Sequence, residues 1–186
     1  MTSLEASFDP ELLAVAARWF GGVNPAWRNG EWLCYDAKTD GIVISGAPGA
    51  VSVFFNIHQG DRRRPDVVCT DPLDALRYVL FRSGLKQRQR YLYGRLLVSF
   101  SPSLARPGFV ITPNEGVGAT LTMEDAEGRP SGRRVGFKLA GRATEATFYL
   151  NAGFQDILDS IHTLSGEPLF GDVRQVQPTG VENARP

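Results

Sequence analysis

The stretch from residue 107 to residue 170 limits the possible folds of this chain more than any other feature of its sequence. It alternates short runs of β-branched and aromatic residues with turn signals, and it closes on a helical pattern. Asp125-Ala-Glu-Gly128 is the strongest hairpin signal within it. The predicted strands are residues 109–112, 119–124, 134–139 and 144–150. Because strands joined by turns this short pair antiparallel, the stretch predicts an α+β fold.

The same stretch predicts the last helix of the fold. Asn151 is a favourable residue for the N-cap, and the turn at Gly166-Glu-Pro168 ends the helix. Apolar side chains recur between them at helical spacing, which predicts a buried face on one side of the helix. This face consists of Phe154, Ile157, Leu158 and Ile161.

The first half of the chain predicts a mainly antiparallel meander with two more helices. Asp9-Pro10 begins the first helix, and Gly21-Gly22 ends it. Asp71-Pro72 begins the second helix by the same capping chemistry, and Gly84 is its predicted end. Between these helices, the connections from one predicted strand to the next are too short for parallel crossovers. The predicted strands are residues 31–36, 41–45, 50–58 and 67–70, with a further strand at 96–100.

Length and composition predict one domain with two tails. The chain has 186 residues, of which 42% are hydrophobic, enough to bury a core without disulfides or metals. We predict a tail at residues 1–8, a single domain at 9–171 and a flexible tail at 172–186. No apolar run approaches the roughly 18 residues of a membrane helix, and no secretory signal pattern opens the chain. We therefore expect a cytoplasmic protein that does not bind membranes.

Candidate catalytic and metal-binding residues are few. The two cysteines, Cys34 and Cys69, each lie in an apolar run, which predicts buried thiols. The two histidines, His58 and His162, are too few and too far apart for a metal site. No nucleophile elbow or phosphate-binding loop is present. The expectation is a protein with no catalytic residues, no metal and no cofactor.

Positive charge is concentrated in one part of the chain. Residues 62–95 contain nine basic and three acidic side chains, although the whole chain has zero net charge. Such a segment is typical of a solvated basic face and sometimes of an anionic partner. Arg88-Gln-Arg90-Tyr91 interleaves arginine with tyrosine, as nucleic-acid interfaces do, but the neutral whole argues against nucleic acid. Arginine and tyrosine are also frequent anchors in protein interfaces.

Several motifs in residues 107–170 resemble a known family when they are taken in order. They are Pro107-Gly-Phe109, the hairpin 121–130 with Asp125 and Gly128-Arg-Pro130, the helix end Asp156-Ile-Leu-Asp-Ser-Ile161, and Gly166-Glu-Pro-Leu-Phe170. Together they resemble the actinobacterial immunity proteins, antitoxins that neutralise NAD-glycohydrolase toxins of the tuberculosis necrotising toxin type. The resemblance spans roughly residues 9–170.

The resemblance implies a function by occlusion. A protein of this family binds its cognate toxin domain, which we expect in a 1:1 complex, and obstructs the NAD-binding cleft. The inserting element here would be the loop 58–65, in which Gly60 allows close backbone approach. The expected partner-binding residues are His58, Gln59, Gly60, Asp61, Arg62, Arg63, Arg64, Arg88, Arg90 and Tyr91. Two other readings stay open: a small-molecule- or lipid-binding α+β domain with a closed apolar cavity, and an enzyme that uses a histidine.

Overall fold

A computed structural model describes residues 3–38, 40–58, 64–91, 93, 95–96, 101–171 and 175–176. Its four α-helices are α1 (Pro10–Phe20), α2 (Pro72–Arg90), α3 (Gly141–Ala146) and α4 (Phe154–His162). Its strands are β1 (Gly22–Arg28), β2 (Glu31–Asp36), β3 (Asp40–Ala47), β4 (Ala50–His58), β5 (Val67–Cys69), β6 (Arg95–Leu96), β7 (Phe109–Pro113), β8 (Ala119–Glu124), β9 (Pro130–Phe137) and β10 (Gln175–Val176). Short 3₁₀ helices lie at Glu5–Ser7 and Pro102–Leu104.

Eight of the strands form one antiparallel sheet in the order β1-β2-β3-β4-β5-β9-β8-β7. The short strand β5 joins the two halves, because Val67 pairs with Val53 of β4 on one side and with Phe137 of β9 on the other. The strands β6 and β10 form a separate antiparallel pair. This architecture confirms the predicted α+β class and its antiparallel meander.

The core lies between one face of the large sheet and the helices. Alternate strand residues such as Val53, Phe55 and Leu121 are buried there with Leu76 and Leu80 of α2. The helix α2 contacts both α1 and α4. None of the helices among the described residues is long and apolar enough to cross a membrane.

The predicted N-caps of α1 and α2 are confirmed, whereas the predicted C-terminal end of α2 is wrong. Asp9 accepts hydrogen bonds from the backbone of Glu11 at 2.8 Å, and Asp71 accepts one from Leu73 at 2.9 Å. Gly84, however, does not end α2, which continues to Arg90. A Cβ atom at Gly84 would lie 2.5 Å from the Ile161 side chain of α4. The glycine therefore serves close helix packing rather than chain reversal.

The N-terminal region is more ordered than predicted. The predicted tail at residues 1–8 is wrong in part, because Leu4 and Phe8 are buried in the core. Strand β1 was missed because Asn24-Pro25 is a turn signal. Here the pair forms a bulge in an edge strand, the place in a sheet where proline is tolerated.

Three predictions near the C-terminus also need correction. Residues 144–150 do not form a strand, since residues 144–146 belong to α3 and residues 147–150 form turns. The N-cap of α4 is Gly153, whose N–H donates to Asp156, whereas Asn151 accepts from Arg133. The predicted tail at 172–186 contains strand β10, which pairs with the first residue of the predicted strand 96–100. Residues 97–100 and the rest of that tail lie outside the described residues.

Candidate binding site at the loop end of the sheet

The predicted partner-binding loop connects β4 to β5 at one end of the large sheet. We call this end, where β4 finishes and where β7 turns into β8, the loop end. Gln59, Gly60, Asp61, Arg62 and Arg63 lie outside the described residues, as does the side chain of His58. Arg64 is exposed, and its guanidinium lies 3.4 Å from the position of a Cβ atom on Gly118.

The base of this loop is held firmly by Asp66. A carboxylate oxygen of Asp66 accepts from the backbone N–H of Phe55 at 2.7 Å. The backbone N–H of Asp66 donates to Val53 at 2.8 Å, and its carbonyl accepts from Lys138 at 2.9 Å. One residue thus ties β4 to the exit of β9. The described C-terminal end of the loop therefore belongs to the hydrogen-bonded frame of the sheet.

Arg88 lies in the core and not on a binding surface. It is 1% exposed, and its guanidinium donates to five carbonyl oxygens. Three of these oxygens lie at the end of α4, where the carbonyls of the last helical turn have no partner within the helix. Burial lowers the pKa of this guanidinium. Both terminal nitrogens of Arg88 donate within the protein, so this conformation does not present them to a partner, and the contact of Arg88 with a partner stays a prediction. The five acceptors are the carbonyls of Tyr93, Ser160, Ile161, Thr163 and Leu164.

The neighbouring cations of α2 are used in a similar way. Arg90 donates to the carbonyls of Trp19 at 3.2 Å and Phe20 at 3.0 Å, and so caps the end of α1. The ammonium of Lys86 lies 3.6 Å from the centre of the Phe20 ring. Much of the basic segment therefore joins α2 to other elements.

Tyr91, like Arg90, lies on the surface at the end of this segment. Its side chain is 56% exposed, and its ring lies 5.7 Å from that of Tyr93. It stands at the end of α2, whereas Arg64 stands at the loop end of the sheet. The structure therefore leaves Arg64, Arg90 and Tyr91 exposed at the surface.

A pocket of about 250 Å³ opens beside the base of the loop. Its walls come from the end of β4, the start of β5, the middle of α2, and the segment from β9 into α3. Five of its eight lining residues are charged or carry an amide. The lining consists of Phe55, Asn56, Asp66, Tyr78, Arg82, Lys138, Leu139 and Arg142. It is not the closed apolar cavity that the lipid-binding reading predicts.

Arg82 is the central charge of this pocket. Its side chain is 17% exposed, and its guanidinium meets Glu145 at 3.9 Å, while the ring of Phe55 lies 5.6 Å away. Its Nε is buried without a hydrogen-bond partner in the part of the chain that the structure describes. Glu145 is instead paired closely with Arg142 at 2.7 Å. Arg82 therefore keeps an unused donor next to the pocket.

In another buried ionic cluster, between α2 and β9, the Nε of the arginine has a partner among the described residues. Asp74 is fully buried and accepts from two nitrogens of the Arg133 guanidinium, one of them at 2.8 Å. Arg133 also donates to Asn151 at 3.0 Å and to the carbonyl of Leu150 at 2.6 Å. The hydrogen bond to Asp74 raises the pKa of Arg133. These partners explain the cluster as a structural clamp.

The residues considered for chemistry occupy structural positions. His162 packs edge-on against Trp19 with ring centres 5.3 Å apart. Cys34 and Cys69 are buried and free, and burial raises the pKa of Cys34 to about 12, so its thiol stays protonated. Among the described residues, no group of three or more His, Cys, Asp or Glu side chains could hold a metal ion.

Sequence reasoning missed the pocket residues because they come from four separated segments. One local signal was present: Arg82 interrupts the apolar run Tyr78-Val-Leu-Phe81 on a helix. A second was the pair Arg142 and Glu145, three residues apart. Neither signal indicates which residues of the sheet complete the site.

The fold has a counterpart among solved structures. No protein-family model matches the chain, and no curated protein is similar to it at a significant level. The solved structure of Rv3902c from M. tuberculosis is similar, with a TM-score of 0.71 and 18% sequence identity. The match covers 91% of this chain and 97% of that one. At this identity the likeness shows a common fold. The chain therefore shares almost its whole architecture with a mycobacterial protein.

Proposed function

We propose that this chain is an immunity protein that binds a cognate NAD-glycohydrolase toxin and blocks the NAD-binding cleft of that toxin. The proposal includes a 1:1 complex, a cytoplasmic location and no catalytic activity of its own. The motif order in residues 107–170 supports it, because that order resembles the actinobacterial immunity proteins. The fold shared with a mycobacterial protein is compatible with the same origin.

The surface at the loop end is the observation that carries the proposal. Beside the loop, Leu139 is 52% exposed and Val117 is 65% exposed. They lie close together, because the backbone N–H of Ala140, next to Leu139, donates to the carbonyl of Val117 at 2.8 Å. Exposed apolar side chains next to arginines are typical of a protein interface with an apolar centre and a polar rim. The rigid base at Asp66 reduces the entropy that a partner-bound loop loses.

Inhibition of NAD hydrolysis tests the proposal directly. The purified chain is mixed with the NAD-glycohydrolase domain encoded beside it, and the remaining NAD is measured against inhibitor concentration. We expect complete inhibition at a molar ratio near one. Undiminished hydrolysis at a large excess of this chain would refute the proposed function.

Two variants place the contact. Gly60→Trp should raise the inhibitory concentration at least about tenfold, since a bulky side chain prevents close approach of the loop. Ala126→Trp is the matched control, because Ala126 is exposed in the β8–β9 turn at the opposite end of the sheet and its φ is not positive. Equal potency of both variants would remove the loop from the interface. Circular dichroism checks that each variant is folded.

Charge reversal tests the electrostatic part separately. Arg62→Glu with Arg63→Glu should weaken the complex, whereas Arg28→Glu with Arg129→Glu changes the net charge equally at the far end of the sheet. A salt-dependent loss of affinity in the first pair alone supports contact at the loop. The same loss in both pairs would indicate only a general charge effect.

A further inference from the structure

The pocket beside the loop base is lined by Arg82, which pairs only loosely with Glu145, at 3.9 Å. The Nε of Arg82 is buried and unpartnered within the described residues, although a buried guanidinium N–H normally has an acceptor. Arg133, which faces α2 from β9, shows the fuller case, since its Nε donates to Asp74 at 2.8 Å, whereas the Nε of Arg88 is unpartnered like that of Arg82. An unsatisfied donor of this kind costs about 1–3 kcal/mol unless a ligand or water completes it.

A distortion of β4 turns a further polar group towards the same space. Gly41 pairs with Ile57 and Ile42 pairs with Phe55, so Asn56 is an extra residue in the ladder. Its φ of 55° lies in the left-handed region, which is uncommon for a residue other than glycine. Bulges of this type re-aim side chains and occur next to functional sites. Asn56 lines the pocket as a result.

The acids near the pocket are partly engaged, although Oε2 of Glu145 is buried without a hydrogen-bond partner among the described residues. One oxygen of Asp66 accepts from Phe55 N–H, and Glu145 pairs with Arg142 at 2.7 Å. Three cations, Arg82, Lys138 and Arg142, stand against these two acids, so the site keeps one positive charge. Burial raises the pKa of the Tyr78 hydroxyl, which therefore keeps its proton and remains a donor. The lining offers more donors than acceptors.

We propose that this pocket binds the carboxylate or phosphate group of a small ligand, with Arg82 as the main recognition residue. The planar guanidinium of arginine matches both oxyanions. Lys138 at the mouth and Asn56 on the bulge supply the remaining contacts. The volume of about 250 Å³ equals roughly eight water molecules at liquid density, so the ligand is small. This site goes beyond the proposed antitoxin function and does not depend on it.

Solution NMR of the full chain tests the site with defined probes. Sodium phosphate and sodium succinate are titrated separately at constant ionic strength, with sodium chloride as the reference. The Nε–Hε signal of Arg82 and the amide of Asn56 should shift and saturate with at least one probe. The probe that saturates at lower concentration identifies whether phosphate or carboxylate is preferred.

Variants make the outcome decisive. Arg82→Gln should weaken the binding at least about tenfold, the effect of losing one charge-assisted hydrogen bond. Lys138 is exposed, so Lys138→Gln should leave the fold intact. This variant should weaken binding of the probe about threefold or more. Arg28→Gln, at the opposite end of the sheet, should leave the binding unchanged. The proposal would be overturned if neither probe gave a saturable shift. It would also be overturned if Arg82→Gln and Lys138→Gln both bound the probe as tightly as the unaltered chain.

Discussion

Arg88 offers the sharpest test of how the basic segment is used. Its side chain is almost fully buried, and it donates hydrogen bonds to five carbonyl oxygens from the end of α4 and from the chain after α2. Replacing it with alanine removes the cation and leaves these oxygens without donors. We expect Arg88→Ala to destabilise the whole domain, because α2 and α4 lose their common anchor.

The size of the effect follows from the contacts. Each of the five hydrogen bonds contributes about 1 kcal/mol net, which sets a ceiling of about 5 kcal/mol. Water that enters the vacated space restores part of this, so the expected loss is about 3–5 kcal/mol. In a chain of this length, a loss of that size lowers the melting temperature by about 6–20 °C.

Urea unfolding followed by circular dichroism measures the loss, and Arg90→Ala is the matched control. Arg90 is also an α2 arginine that caps a helix end, but it is exposed and donates to only two carbonyls. Its removal should cost about 1 kcal/mol. If Arg88→Ala lost no more than Arg90→Ala, the guanidinium would not anchor the two helices, and the reasoning would be refuted.

Three further perturbations test other parts of the fold. Gly84→Ala should lower the free energy of unfolding by about 1–3 kcal/mol, because the added methyl group overpacks the contact with α4. A double-mutant cycle with Ile161→Ala should show a coupling energy above about 0.5 kcal/mol, and additive effects would contradict the close contact. The folded Cys34 keeps a proton that the unfolded chain loses above about pH 9. The free energy of unfolding should therefore fall as pH rises from 9 to 12, by up to about 1.4 kcal/mol per pH unit. Cys34→Ala should reduce this slope when unfolding by urea is measured across the alkaline range. Asp66→Ala should cost about 1–2 kcal/mol and speed hydrogen exchange at the Phe55 amide, and unchanged protection there would exclude Asp66 as the loop anchor.

Local signals predicted most of the strands and the starts of α1 and α2. Alternation and turn residues placed β2, β4 and β8 within two residues of their observed bounds, because a half-buried strand has a strong period of two. Gly84 was misread because the same residue serves as a helix end and as a packing contact. Only the position of Ile161, 77 residues later, distinguishes the two uses.

The candidate site was less predictable, since charge in a sequence does not indicate burial. Arg88 and Arg90 look alike in the sequence, yet one lies in the core and the other on the surface. The pocket needed the bulge at Asn56 and the approach of α3 to α2, and neither follows from local pattern. The resemblance indicated a partner-binding loop but no ligand pocket beside it.

The internal use of the α2 cations changes how this protein attracts molecules over a distance. Electrostatic steering of an approaching partner depends on charges that face solvent, and it speeds association mainly at low ionic strength. Arg88 contributes little to that field because its charge is enclosed by carbonyl dipoles, and Lys86 is partly withdrawn over an aromatic ring. The encounter rate with an acidic partner should therefore follow the exposed cations around Arg64 and Lys138, so the direction of approach is set by the end of the sheet and not by the most basic helix.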